Sequence, residues 1–285
     1  MRGLPAIVHY YLVTLTFPML WPRGRSFPPE AQRRARLRRV LRTALANTRY
    51  AREYDPSADR FEQLPRVDLL EFLRHSDRYT AGNAIQARER LHYPLGEAPR
   101  TAVVAREVAE TRRVRCFSGL RAEALRAFAP QSLAAPLDAL RAAAEAPAHG
   151  PLRNAVIVFT GILEGPLTPE DGDRFWRRYQ VPVFEQFLGL DGELLAWECE
   201  IHHGLHVRQD AAYFESCEED RILVSFLNNS RLPVLRLETG LTGRLIAEPC
   251  PCGDEAPRLV DMRRLSVRRM GPMTATGAMA AAAVS

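Results

Sequence analysis

The sequence predicts an α/β protein in which a parallel-sheet layer passes into a smaller β-rich subdomain. Three observations carry this reading. "AVIVF", Ala155 to Phe159, is a continuous apolar run that suits a strand buried on both faces. It ends in "TGILEG", before a helical stretch from Pro169 to Tyr179 and a second strand, "VPVFEQF". A strand–helix–strand unit of this kind implies a parallel sheet. After Leu194 the texture changes to short alternating segments joined by polar turns: "LLAWECE", "GLHVRQDAAYFES", "DRILVSFL", "LPVLRLE" and "GRLIA".

The remaining elements follow in chain order. Residues 1–27 hold an apolar segment, "LPAIVHYYLVTLTFPMLW" from Leu4 to Trp21. Its length is short for a spanning helix, Pro5 and His9 interrupt it, and no small-residue cleavage site follows. It is expected to pack as a helix or to lie on a membrane surface. From Pro28 to Arg52, Leu37, Val40, Leu41, Ala44 and Leu45 recur at helical spacing among arginines, which predicts one amphipathic helix. The arginines lack aromatic interleaving or a reading motif, so a solvated face is preferred over nucleic-acid binding. A loop at Asp55-Pro56 leads to a second short helix within Leu64 to His75. Thr80 to Arg100 reads as loop, "TAVVA" from Thr101 as a strand, and "LRAEALRAFA" and "AAPLDALRAAAEA" as helices. The reading thus divides the chain at 28–193 and 194–265. The tail 266–285 has no periodic pattern and reads as disordered.

Composition excludes some chemistry. Of the 285 residues, 46% are apolar, enough for a sizeable core, and the net charge of +5 rests on 39 basic residues that are all arginine. Without lysine, no Schiff base, P-loop lysine or lysine clamp on an acyl phosphate can form within this sequence. Five unevenly spaced cysteines do not form the framework of a disulfide-stapled secreted protein and point to a reducing, cytoplasmic compartment. Three of the five sit near histidines. Cys250-Pro251-Cys252-Gly253 has the form of a metal knuckle, while Cys199 ends one predicted strand and His206 begins the next. Cys199, His206, Cys250 and Cys252 make a Cys₃His set suited to structural zinc, with His202, His203 and Cys217 as substitute ligands. The competing account is a buried Cys199 beside a free or disulfide-bonded C-P-C pair. Cys116 reads as a buried hydrophobe.

On these residues the chain resembles the phenylacetate–CoA ligase-like branch of the adenylate-forming enzymes, which includes the coenzyme F390 synthetases. "LRRVLRTALANTRYAREYD" and "FEQLPRVDLLEFLRH" are similar to the family's opening helix and lead-in, and "AAPLDALRAAAEA" to the helix before its central strand. "VFTGILEGPLTPE" is similar to its T-G-G-E-P-L-T-P-E stretch, which places Gly161 and Glu164 as cofactor-binding candidates. "VPVFEQFLGLDGELLAWECEIHHGLHV" and "LPVLRLETGLTGRLIAEPCPCGDEAPRL" follow in the family's order. The resemblance implies a truncated N-terminal adenylate-forming core with a β-rich subdomain pinned by zinc on Cys199, His206, Cys250 and Cys252.

The family's activity is ATP-dependent adenylation of a carboxylate followed by transfer to CoA, and here its signatures are degraded. No Ser/Thr/Gly-rich phosphate loop occurs between Tyr79 and Phe117. The magnesium motif Y-G-x-T-E aligns with Phe187-Leu188-Gly189-Leu190-Asp191, keeping only the carboxylate of Asp191. The R-x-R-T-G-D segment appears as Arg236 to Leu241. Arg236 and Thr239 remain, and the ribose-binding aspartate is Leu241. The family's mobile C-terminal domain and its catalytic lysine have no counterpart. Asp191, Thr239 and Arg236 are therefore vestigial catalytic positions, and Asp191 and Glu185 read as ordinary surface or supporting acids. ATP, magnesium and CoA are expected only if the chain is active. Three functions remain open: a pseudoenzyme that binds an acyl or aryl ligand or an active ligase subunit; an active or split acyl/aryl-CoA ligase; and a membrane-surface protein using residues 4–21.

Overall fold

The computed structural model describes residues 30–47, 64–80, 89–120, 123–143, 151–229 and 232–265. The apolar segment 4–21, the loop at Asp55-Pro56 and the tail 266–285 lie outside them.

The arginine-rich stretch forms α1 (Glu30–Asn47). Its stripe works as its spacing demands: Leu37, Val40 and Ala44 are buried, and Leu41 and Leu45 pack beside them. The second helix is shorter than its pattern, α2 (Leu69–Arg74), because the Asp68 side chain caps Glu71 N–H at 2.8 Å and sets the start there. Val67 is thereby left extended and bridges Leu237.

Two parallel strands, β1 (Thr101–Val104) and β2 (Val114–Phe117), precede α3 (Glu123–Phe128). Next come β3 (Ser132–Pro136), α4 (Leu137–Ala143), β4 (Ala155–Gly161), α5 (Pro169–Tyr179) and β5 (Val183–Leu188). The helix predicted over Ala134–Ala146 is corrected here. Its first residues are strand, because Ala134 and Ala135 pair between β1 and β4 and are fully buried on opposite faces of the sheet. Tertiary packing overrides the helical preference of alanine. The α5 bounds match their signals: Thr168 caps Asp171 N–H, Pro169 opens the helix, and Gln180 closes it in the left-handed region.

The antiparallel part contains β6 (Leu194–Glu198), β7 (Leu205–Val207), β8 (Ala212–Ser216), β9 (Arg221–Phe226), β10 (Leu237–Ile246) and β11 (Arg258–Arg264). The segment read as one strand from Gly204 to Ser216 divides into β7 and β8, which are not neighbours in the sheet. "LPVLRLE" and "GRLIA" are likewise not two strands. Leu232 to Arg236 is irregular, and one strand runs from Leu237 through Gly240 and Gly243. β11 was not anticipated.

Among the described residues all strands join one sheet, ordered β2-β1-β3-β4-β5-β6-β7-β11-β10-β9-β8. The first five are parallel. Every pairing from β5–β6 onward is antiparallel. The parallel half has the doubly wound order 2-1-3-4-5, in which ligands bind beyond the carboxyl ends of the strands. Helices α3, α4 and α5 cover one face through Leu125, Leu137, Leu140 and Phe175. On the other face Tyr93 and Val108 cover Val103, Ile157 and Phe184 from irregular segments. Val40 and Ala44 of α1 and Phe72 of α2 pack on a third cluster, built from the inward side chains of the antiparallel half.

Candidate functional site

The sheet brings together all four residues of the Cys₃His set. Cys199 follows β6, and the turn after it returns through a His202 N–H bond to the Cys199 carbonyl at 3.0 Å, putting His206 on β7. β7 lies between β6 and β11, with His206 opposite Trp197 on one side and Arg258 on the other. The loop from β10 to β11 holds Cys250 and Cys252 in a turn closed by Gly253 N–H to the Cys250 carbonyl at 2.8 Å and by Cys250 N–H to the Asp254 carbonyl at 3.0 Å. Pro251 and a left-handed Gly253 (φ +89°) shape that turn.

Two of the six donor–donor distances match the edges of a tetrahedral ion. Metal–sulfur bonds of about 2.3 Å and a metal–nitrogen bond of about 2.05 Å require edges of about 3.8 Å between sulfurs and about 3.6 Å between sulfur and nitrogen. Cys199 Sγ and Cys250 Sγ are 3.8 Å apart, and Cys252 Sγ and His206 Nε2 are 3.5 Å apart. All four donors lie within 4.8 Å of one another. Cys199, Cys250 and His206 are buried. Burial pushes the Cys252 thiol up to about 11 and raises the Cys199 thiol as well, while it lowers the His206 imidazole. A buried neutral imidazole is a ready ligand, and three crowded sulfurs become thiolates only with a cation among them. His202, His203 and Cys217, the substitute ligands, are not part of the cluster. The His202 Nδ1 is 2.9 Å from Glu198 Oε1, and its ring stacks on Phe184.

The positions assigned to nucleotide chemistry form no comparable constellation. Gly161 and Glu164 meet after β4, but a Cβ at Gly161 would lie 2.9 Å from Glu164 Oε2 and 3.0 Å from the Leu188 carbonyl, so Glu164 already occupies the space beside that glycine. Asp191, in the β5–β6 turn, accepts from the Asn229 amide and, at 3.2 Å, from Glu193 N–H. That turn is locked by charges no motif announced. Arg106 donates to the Gly192 carbonyl at 2.6 Å, and Glu89 accepts from Leu194 N–H and from Arg208. Arg236 turns inward: it bonds the Leu64 carbonyl at 2.6 Å and Glu215 at 3.2 Å. Thr239 Oγ1 donates to the Ile222 carbonyl at 2.8 Å. Leu241 is fully inside the core, and Leu190 packs against it.

Glu185 departs from its reading as a surface acid. It is buried, accepts from Thr160 Oγ1 at 2.6 Å and from Leu167 N–H at 3.0 Å, and burial raises its carboxyl to about 8. It lines an open cleft of about 1430 Å³ together with Glu164, Glu198, His202, Arg258 and Met262. Asp254 and Arg258 also went unflagged by motif reasoning. The Asp254 signal was its place directly after the C-P-C-G turn, where aspartate bonds its own following backbone. Arg258 ties the two halves of the cluster by donating to the His203 and Glu248 carbonyls.

No family model matches the sequence, and no curated protein matches it. Solved structures do match. A 2-hydroxyisobutyryl-CoA ligase in complex with 2-HIB-AMP and CoA in the thioesterification state superposes with a TM-score of 0.64 at 15% identity, covering 89% of this chain and 73% of that one. The open conformation of that ligase gives 0.62 at 15% identity, covering 84% and 78%. Its postadenylation state with R3-HIB-AMP gives 0.60 at 16% identity, covering 85% and 71%. The mixed α/β fold of this chain thus resembles that of 2-hydroxyisobutyryl-CoA ligase.

Proposed function

We propose that the chain is a degenerate relative of the acyl- and aryl-CoA ligases, of the phenylacetate–CoA ligase-like kind, that does not adenylate a carboxylate alone and serves as a binding or partner protein. The observation that carries this is the fate of the segment Arg236 to Leu241. Arg236 and Thr239 spend their polar groups inside the fold, and the position assigned to a ribose-binding aspartate is a core leucine, which accepts no hydrogen bond. Adenylation needs charge-stabilising contacts in the transition state, and losing one such donor costs about 3 kcal/mol. Here phosphate loop, threonine and ribose acceptor are replaced together.

The Cys₃His cluster holds zinc in a structural role in this reading. Zinc would cross-link the β6–β7 turn to the β10–β11 loop, and Cys199, His206, Cys250 and Cys252 would close all four positions. The open cleft is large enough for an acyl or aryl ligand. A second reading, one part of a split CoA ligase, draws on Asp191, a carboxylate kept beyond the end of β5 where the doubly wound order places ligands.

Pyrophosphate exchange, measured with magnesium ATP and a panel of aryl and short-chain carboxylic acids, separates the two. No exchange by the purified chain is expected. Exchange above a no-enzyme control would overturn the pseudoenzyme reading, and exchange only after adding a co-purifying chain would favour the split enzyme.

A further inference from the structure

An imidazole can bind metal through either nitrogen, and the choice is set by what the other nitrogen holds. In His206 that second nitrogen is a conspicuous orphan. Nε2 lies 3.5 Å from Cys252 Sγ, facing the cluster, whereas Nδ1 is buried without a hydrogen-bond partner. The nearest anionic oxygen is Asp254 Oδ2, 3.6 Å from Nδ1. The backbone fixes Asp254 on both sides of that approach. Its carbonyl accepts from Cys250 N–H at 3.0 Å, closing the knuckle, and its Oδ1 accepts from Ala256 N–H at 2.9 Å. With one carboxylate oxygen tied down, the other is left aimed at the ring. His206 is equally constrained, held between β6 and β11 with its ring stacked on Trp197 at a centroid distance of 5.9 Å. The opposing charge is also present, since the buried Arg258 stands directly across from His206 on β11.

We propose that Asp254 is the positioning residue of the metal centre, accepting the Nδ1 proton of His206 so that Nε2 is presented as the ligand. This deepens the zinc reading and rests on it. A small closure of the 3.6 Å gap makes the hydrogen bond, and the carboxylate raises the donor strength of the imidazole.

The test loads the full chain with zinc and measures affinity by competition with a chromophoric chelator, together with nitrogen-detected NMR of the His206 ring. The wild type is expected to take one zinc with Nδ1 protonated. Asp254→Ala is expected to weaken zinc toward 100-fold and to mix the two His206 tautomers; Asp254→Asn, whose one amide oxygen accepts from Ala256 N–H or from His206 Nδ1–H but not from both, is expected to weaken zinc about 10-fold or more. The Asn variant carries the test if the Ala variant does not fold. Wild-type affinity in Asp254→Asn together with an unchanged His206 spectrum in Asp254→Ala overturns the role of Asp254 and leaves the zinc reading standing. A wild-type chain that takes up no stoichiometric zinc overturns both.

Discussion

Glu185 shows what a single side chain can do to the pH behaviour of the fold. Its carboxyl is held near 8, first by burial, against an unfolded value of about 4.3, so the native state binds the proton more tightly than the unfolded chain does. The sign follows from linkage: its contribution is complete below the unfolded value and is lost as pH rises toward 8. Glu185→Gln keeps the acceptor for Thr160 and Leu167 and cannot ionise. Urea unfolding from pH 5 to 8 should therefore show the wild type losing stability relative to Glu185→Gln, and a constant difference between them would contradict this. Glu185→Ala strands the Leu167 N–H and takes the shorter of two acceptors from the Thr160 hydroxyl; at pH 5, where the wild-type carboxyl is protonated, it is expected to cost about 1–3 kcal/mol, a difference that shrinks as pH rises toward 8. None of this was legible from the sequence, where Glu185 sits in an ordinary alternating strand. One of its partners, the Leu167 N–H, comes from the loop after β4, eighteen residues away in sequence. By contrast, the proximity of Cys199, His206, Cys250 and Cys252 was legible, because a C-x-C turn and a strand-end cysteine and histidine are local signals that pairing then brings together.

The elements were read well wherever one strong local signal governed them. The caps of α5, the apolar run of β4 and the stripe of α1 all encode their own structure. Failures came where distant neighbours decide. Ala134 and Ala135 join a strand because β1 and β4 pair with them from both sides, and β7 and β8 separate because β11, about fifty residues later, pairs with β7. Gly204 marks this dependence. It has φ +93°, and a Cβ there would come within 2.5 Å of the Leu259 carbonyl on β11. Gly204→Ala is expected to combine left-handed strain with a backbone clash and to cost more than 2 kcal/mol. Zinc content should fall with it, because β7 carries His206. Wild-type stability and full zinc uptake in this variant would show that the β7–β11 contact is looser than described. Metal removal acts on the same element. Adding a strong chelator to the wild type should lower the melting temperature, while Cys252→Ser, already missing one ligand, should respond little. An equal response would place the metal elsewhere.

At the scale of the whole molecule, the fold resembles that of a CoA ligase, while the side chains assigned to nucleotide chemistry are engaged inside the fold. Arg236 fastens the segment before α2, Thr239 bonds β9, and Leu241 fills the core. The turn bearing Asp191 is held by Glu89, Arg106 and Arg208. A shared sheet does not by itself bring a shared site. The most direct measurement is a calorimetric titration of the zinc-analysed chain with magnesium ATP and then with AMP. No heat of binding up to millimolar nucleotide is the expected result. Saturable binding in the micromolar range would contradict the central claim and return Asp191 and the strand ends to the status of a working nucleotide site.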